Sequence, residues 1–198
     1  MTGKQIRRVQ SEQMDSPELQ DELERYHKAS YGWALSCCSR NSEQAESVLQ
    51  TVYLKVLEGK ARFDGRSSFK TWLFAVIRKT AADERRRSLL ARLRLVKYEQ
   101  SAAQNACQEY QDDAIYRTQI QELFRQALAR LPKRQREILE LVFYHDLSLA
   151  EAANVMNISI GSARTHYDRG KKRLRQWLDE SEVLDERAGR KQDQRAIQ

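Results

Sequence analysis

Two stretches of this chain concentrate side chains suited to binding chemistry. In Ile160 to Leu178, Ser162, Arg164, Thr165, His166, Asp168, Arg169, Lys171, Lys172 and Arg173 fall outside an apolar stripe of Ile160, Ala163, Tyr167, Gly170, Leu174 and Trp177. Arginine can grip a guanine edge with two hydrogen bonds, and hydroxyls and imidazole can meet bases or phosphates. The cations toward the end of the stretch suit phosphate oxygens. In Phe69 to Arg87, aromatics and cations alternate: Phe69, Lys70, Trp72, Phe74, Arg78 and Lys79, then Arg85-Arg86-Arg87. Such a surface can hold a single strand, with cations on the backbone and aromatics on the bases. A buried aromatic stripe and a solvated basic helix end are the plain alternatives. Bond-making chemistry finds no support. No nucleophile and base can be paired, no glycine-rich phosphate loop occurs, and His27, His145, His166, Cys37, Cys38 and Cys107 lack metal-ligand spacing. No metal, no cofactor and no enzymatic activity are expected.

The elements that must position these residues are helices. Seven glycines and two prolines force few turns, and strand-like alternation is absent. Pro17 to Ser39 carries Leu19, Leu23, Tyr26, Ala29 or Ser30, and Trp33 at helical spacing. Asn41 with Gln44 is a capping arrangement that opens a helix burying Ala45, Val48, Leu49, Val52 and Val56 and exposing Glu46, Gln50 and Leu54. Phe63-Asp64-Gly65 is a loop, and Ser67 or Ser68 caps a helix whose inner stripe is Phe69, Trp72, Leu73, Val76, Ile77 and Thr80. Further on, Ile115 to Leu131 is amphipathic, and Pro132 starts a helix that reaches about Phe143. Ser148 with Glu151 forms a full capping box for a short helix to Met156, and Asn157-Ile158-Ser159 is a tight turn. A capped short helix, a turn and a basic second helix make a helix-turn-helix. Gly170 in its second helix costs about 1 kcal/mol relative to alanine, which close helix packing would explain.

The expectation is therefore an all-α chain of two small domains joined by a flexible linker, the second containing the helix-turn-helix. The boundaries are a tail over 1–16, a helical domain over 17–90, a linker over 91–114, a second domain over 115–180 and a charged, frayed tail over 181–198. The bulk numbers agree. At 198 residues, 32% charged and net +7, the chain suits small domains with a polyanionic partner. No run of about 18 apolar residues exists, so no membrane insertion is expected. A polar start and an odd cysteine count point to a cytoplasmic protein, with Cys37 and Cys38 as small core residues.

With both blocks in view, the chain resembles the extracytoplasmic-function (ECF) group of bacterial RNA polymerase sigma factors. The resemblance rests on Ala45-Glu46-Ser47-Val48-Leu49-Gln50-Thr51-Val52-Tyr53-Leu54, on Phe63 to Leu73 followed by Asp83 and Arg85-Arg86-Arg87, and on Ala127 to Leu139 followed by Leu147 to Ala153 and Gly161-Ser162-Ala163-Arg164. Ser47 and Thr51 stand where the family usually has acids, and Lys79 where it usually has asparagine. The resemblance implies core RNA polymerase, promoter DNA and a cognate anti-sigma factor as partners. It implies that Glu46, Gln50 and Leu54 bind the polymerase core. Lys70, Trp72, Arg78, Lys79, Arg85, Arg86 and Arg87 would engage the −10 element. Ser162, Arg164, Thr165, His166, Asp168, Arg169, Lys171 and Lys172 would read the −35 element. The alternatives are an ordinary regulator whose helix-turn-helix resembles the LuxR type and acts without replacing sigma, and a non-DNA interaction protein such as an anti-sigma factor or a helical adaptor.

Overall fold

The computed structural model describes residues 16–95 and 125–195, all helix and connecting turns. Residues 1–15, most of the expected linker, Cys107 and the first part of the helix expected from Ile115 lie outside the described residues. The described helices fall into two units. The first holds α1 (Ser16–Arg25), α2 (His27–Cys37), α3 (Ser42–Leu57) and α4 (Phe69–Leu95). The second holds α5 (described over 125–129), α6 (Lys133–Phe143), α7 (Leu149–Met156) and α8 (Ile160–Arg195).

In the first unit, α2, α3 and α4 pack on one another and α1 covers an edge. The stripe expected on α3 is buried in full: Ala45, Val48, Leu49, Val52 and Val56 face inward. Asn41 starts that helix by accepting the Gln44 N–H on Oδ1 at 2.8 Å, which satisfies one of the free amides of the first turn. Trp33 fills the centre of the unit. Its ring stacks on Phe74 at 5.9 Å, and its Nε1–H donates to the Phe74 carbonyl at 3.0 Å. An indole buried this deeply needs such a partner.

Three expectations need correction here. The stretch from Pro17 to Ser39 is two helices, because Tyr26 sits between them at φ −96°, ψ 5°. Phe74, read as part of an aromatic binding surface, is wholly buried, while Val76 and Trp72 of the expected inner stripe are only half-buried. The helix of the basic run reaches Leu95, so the first residues of the expected linker are helical. Cys37 and Cys38 are buried, as expected.

In the second unit, α6, α7 and α8 pack pairwise around Leu128, Ile138, Leu139, Leu141, Ala152, Ala153, Val155, Met156 and Ala163. Pro132 takes the N-cap position of α6, one residue ahead of the expected place. The Ser148 box is complete: Ser148 Oγ accepts the Glu151 N–H at 3.3 Å, and Glu151 Oε2 accepts the Ser148 N–H at 3.0 Å. Asn157 closes α7 in the left-handed region at φ 52°, ψ 53°, which asparagine tolerates well. Gly170 explains itself: a Cβ there would stand 3.0 Å from Leu139 Cδ1 and 3.4 Å from Gln135 Cβ, so its bareness lets α8 seat against α6. The backbone of α8 is helical to Arg195, so the part of the expected frayed tail that is described continues the helix.

Candidate nucleic-acid interface

α7, the Asn157 turn and α8 form the helix-turn-helix. Ser159 caps α8 by accepting the Ser162 N–H on Oγ at 3.2 Å. The Asn157-Ile158-Ser159 turn assignment misses that cap, although a serine just ahead of a periodic stretch is an N-cap signature. Inward, Ala163, Gly170 and Leu174 are buried. Tyr167 and Trp177 are half-buried, and Tyr167 stacks on Phe143 at 6.1 Å. Outward, Ser162, Arg164, Thr165, Asp168, Arg169, Lys171 and Lys172 are exposed, and His166 is half-buried. Ile160 corrects the expected inner stripe, because it is 43% exposed. Its place at the head of the helix takes it beyond the edge of the packed face.

The cations of α8 are not equivalent. Lys171 Nζ lies over the Tyr167 ring at 5.1 Å. Arg173 Nη1 donates to Gln135 Oε1 at 3.4 Å, tying α8 to α6. Arg164, Arg169 and Lys172 stand exposed along the outer side. Asp168 is the acid among them, and it narrows the positive surface to the turns before and after it.

On α4 the basic and aromatic residues divide between two sides. Trp72, Lys79 and Arg86 are spaced by seven and so lie nearly in line. Trp72 is half-buried in a cluster with Phe63 at 5.4 Å and Phe69 at 5.2 Å, which pins the Phe63-Asp64-Gly65 loop to the helix. Gly65 allows that loop to turn at φ 70°. Lys70 and Arg78 are half-buried, and Lys70 Nζ sits 5.9 Å from the Phe74 ring centre. Of the arginine run, Arg85 donates from Nη2 to the Cys37 carbonyl at the end of α2, Arg86 pairs with Asp83 at 3.2 Å, and Arg87 is exposed. On α3, Glu46, Gln50 and Leu54 are all exposed and follow one another at intervals of one turn, with Leu54 58% exposed.

Arg85 and Arg87 should therefore respond differently to truncation. Arg85→Ala removes a cationic donor from the carboxyl end of α2, where positive charge is favoured, and should cost about 1 kcal/mol. Arg87→Ala should change stability by under about 0.5 kcal/mol. Urea midpoints for the first unit decide this, and equal midpoints would remove Arg85 from the packing of α2 on α4.

Two helical units, one with a helix-turn-helix presenting exposed cations, define a DNA-binding protein class, and the comparisons narrow it. Residues 23–89 match the family model Sigma-70 region 2, and residues 121–174 match Sigma-70, region 4. The chain is 30% identical over 166 residues to the ECF RNA polymerase sigma factor SigX of Bacillus subtilis (strain 168), covering 81% of this chain and 84% of that relative. It is 25% identical over 147 residues to the ECF RNA polymerase sigma factor SigW of the same organism, covering 70% and 77%. Among solved structures, the sigma factor RpoE in complex with the anti-sigma factor NepR from Bartonella quintana shares the fold, with a TM-score of 0.60 at 24% identity over 82% of this chain and 97% of that one. The chain belongs to the ECF sigma factor family.

Proposed function

We propose that this chain directs core RNA polymerase to specific promoters, with the domain over 115–180 reading the −35 element and the domain over 17–90 engaging the −10 element. The observation that carries the reading is the order of the two matches, Sigma-70 region 2 before region 4, each falling on a helical unit. The exposed row on α3 (Glu46, Gln50 and Leu54) is read as the polymerase contact. On α4, Trp72, Lys79 and Arg86 make the compact part of the −10 surface. Lys70, Arg78, Arg85 and Arg87 flank it. On α8, Arg164 is read as facing bases, while Arg169, Lys171 and Lys172 face phosphate, with Ser162, Thr165, His166 and Asp168 alongside.

The role is recognition rather than catalysis, exercised where the promoter is, in the cytoplasm. No described helix is long and apolar enough to cross a membrane. An anti-sigma factor is an expected partner, as NepR is of RpoE. The regulator reading requires tight duplex binding without polymerase, and the region 2 match runs against it.

Run-off transcription with purified core polymerase on a promoter library tests the proposal. Specific transcripts should arise only when the chain is added. Gln50→Ala, at an exposed helix position, should leave stability within about 0.5 kcal/mol of wild type and weaken capture of core polymerase. Specific duplex binding at nanomolar concentration by the free protein, with no transcription on adding core, would favour the regulator. Undiminished capture by Gln50→Ala would remove α3 from the polymerase contact.

A further inference from the structure

The first turn of α8 presents an apolar side chain on the side where polar readers were expected. Ile160 is 43% exposed, and it stands one turn ahead of Arg164 on the same side of the helix. Its neighbours are bare or already engaged. Gly161 is exposed, and a Cβ built there would meet nothing nearer than Ser159 Oγ at 4.0 Å. Ser159 Oγ donates to Ser162 Oγ at 3.0 Å, and Thr165 Oγ1 donates to the Gly161 carbonyl at 3.0 Å. Two of the hydroxyl protons in this region are thus used within the helix and are not free for a base edge. What remains around Ile160 is open backbone, a branched hydrocarbon and, one turn on, a guanidinium.

The major-groove edge of a base pair offers one apolar group, the C5-methyl of thymine; guanine offers the paired acceptors that suit arginine. The start of a recognition helix is where a helix-turn-helix places its base contacts. We propose that Ile160 is a specificity-determining residue that selects thymine within the −35 element by packing on its C5-methyl, beside the base pair engaged by Arg164. This rests on the −35 reading of α8 and adds to it a preference carried by shape rather than by hydrogen bonding. It also explains why a large aliphatic residue is left in water at the head of the helix in the free chain.

Deoxyuridine removes that methyl and changes nothing else on the base. The full chain is assembled with core polymerase, a transcribed promoter is selected, and each thymine of its −35 element is replaced in turn by deoxyuridine. Wild type should lose about threefold to fourfold at one of these positions, the worth of one methyl-sized group removed from water. Ile160→Ala should transcribe the thymine and uracil templates equally at that position. Ile160→Val should keep most of the difference, and Arg164→Ala should keep it in full. The valine variant also guards against misreading a folding defect, since it retains the branched carbon. If no uracil substitution costs wild type as much as twofold, or if Ile160→Ala still distinguishes the two templates, the assignment is wrong. Base-pair transversions across the same element separate the two levels. Transversions without effect would overturn the −35 reading itself, whereas an effect of transversions without any effect of uracil overturns Ile160 alone.

Discussion

Trp33→Ala should destabilise the α1–α4 unit by about 3–5 kcal/mol while leaving the α5–α8 unit close to its wild-type stability. Trp33 is fully buried, the largest side chain to be so among the described residues. Truncation removes its stack on Phe74 and the hydrogen bond to the Phe74 carbonyl, and the rigid helices around it can close only part of the resulting cavity. A unit of about 80 residues has about 4–12 kcal/mol of stability in all, so this one change can consume most of it. Urea unfolding followed amide by amide resolves the two units separately. The amides of α2, α3 and α4 should lose protection at much lower urea, and those of α6, α7 and α8 at the same urea as before. Trp33→Phe keeps much of the ring and should cost clearly less. A matching loss in both units would show that they do not fold independently. A loss under about 1 kcal/mol would show that the centre of the first unit lies elsewhere.

The same packing explains how much of this architecture could be read from residue types. α3 was legible along its whole length, because its inner positions repeat at helical period and Asn41 marks its start. The Ser148 box and the Asn157 turn were legible because capping is local, involving groups three residues apart. Gly170 announced a close approach, and Leu139 is what approaches. What was hidden depends on partners distant in sequence or on position at a stripe's edge. Phe74 lies on an otherwise mixed helix and is taken inward by Trp33, a residue 41 positions away. Arg85 looked like one of three equal arginines until the end of α2, 48 positions away, took its guanidinium. Ile160 fitted the period of the inner stripe, but the stripe begins to be covered only from Ala163. The break at Tyr26 had no proline or glycine to signal it. For the candidate site, membership of a helix was readable, whereas which side chains are free to meet DNA was not, since that turns on bonds such as Thr165 to Gly161 and Arg173 to Gln135.

Arg164→Ala should weaken promoter use by about 1–3 kcal/mol and relax the preference at one or two base pairs of the −35 element, whereas Lys172→Ala should weaken it about equally on every sequence. Both side chains are exposed, so neither change should disturb the fold. They differ in position along α8. Arg164 lies in its second turn, behind the Ser159 cap and the bare Gly161 backbone, where the helix can enter the major groove. Lys172 lies two turns further on, past Asp168, where the helix leaves the groove and its cations meet phosphate. A bidentate contact to a guanine edge is lost with its sequence information. A phosphate contact is lost with a counterion release of about one, so the salt slope should fall by about one unit for Lys172→Ala. Lys171 should have a smaller effect than Lys172, because its ammonium already lies over the Tyr167 ring. A −35 substitution series transcribed with each variant at several salt concentrations reads both quantities. A generic basic face would make the two variants alike, changing the salt slope and never the base preference. The reverse assignment, with Lys172→Ala altering the preference and Arg164→Ala altering only the slope, would mean that the later turns of α8 enter the groove. Unchanged promoter use in both variants would mean that α8 is not the helix that reads the −35 element.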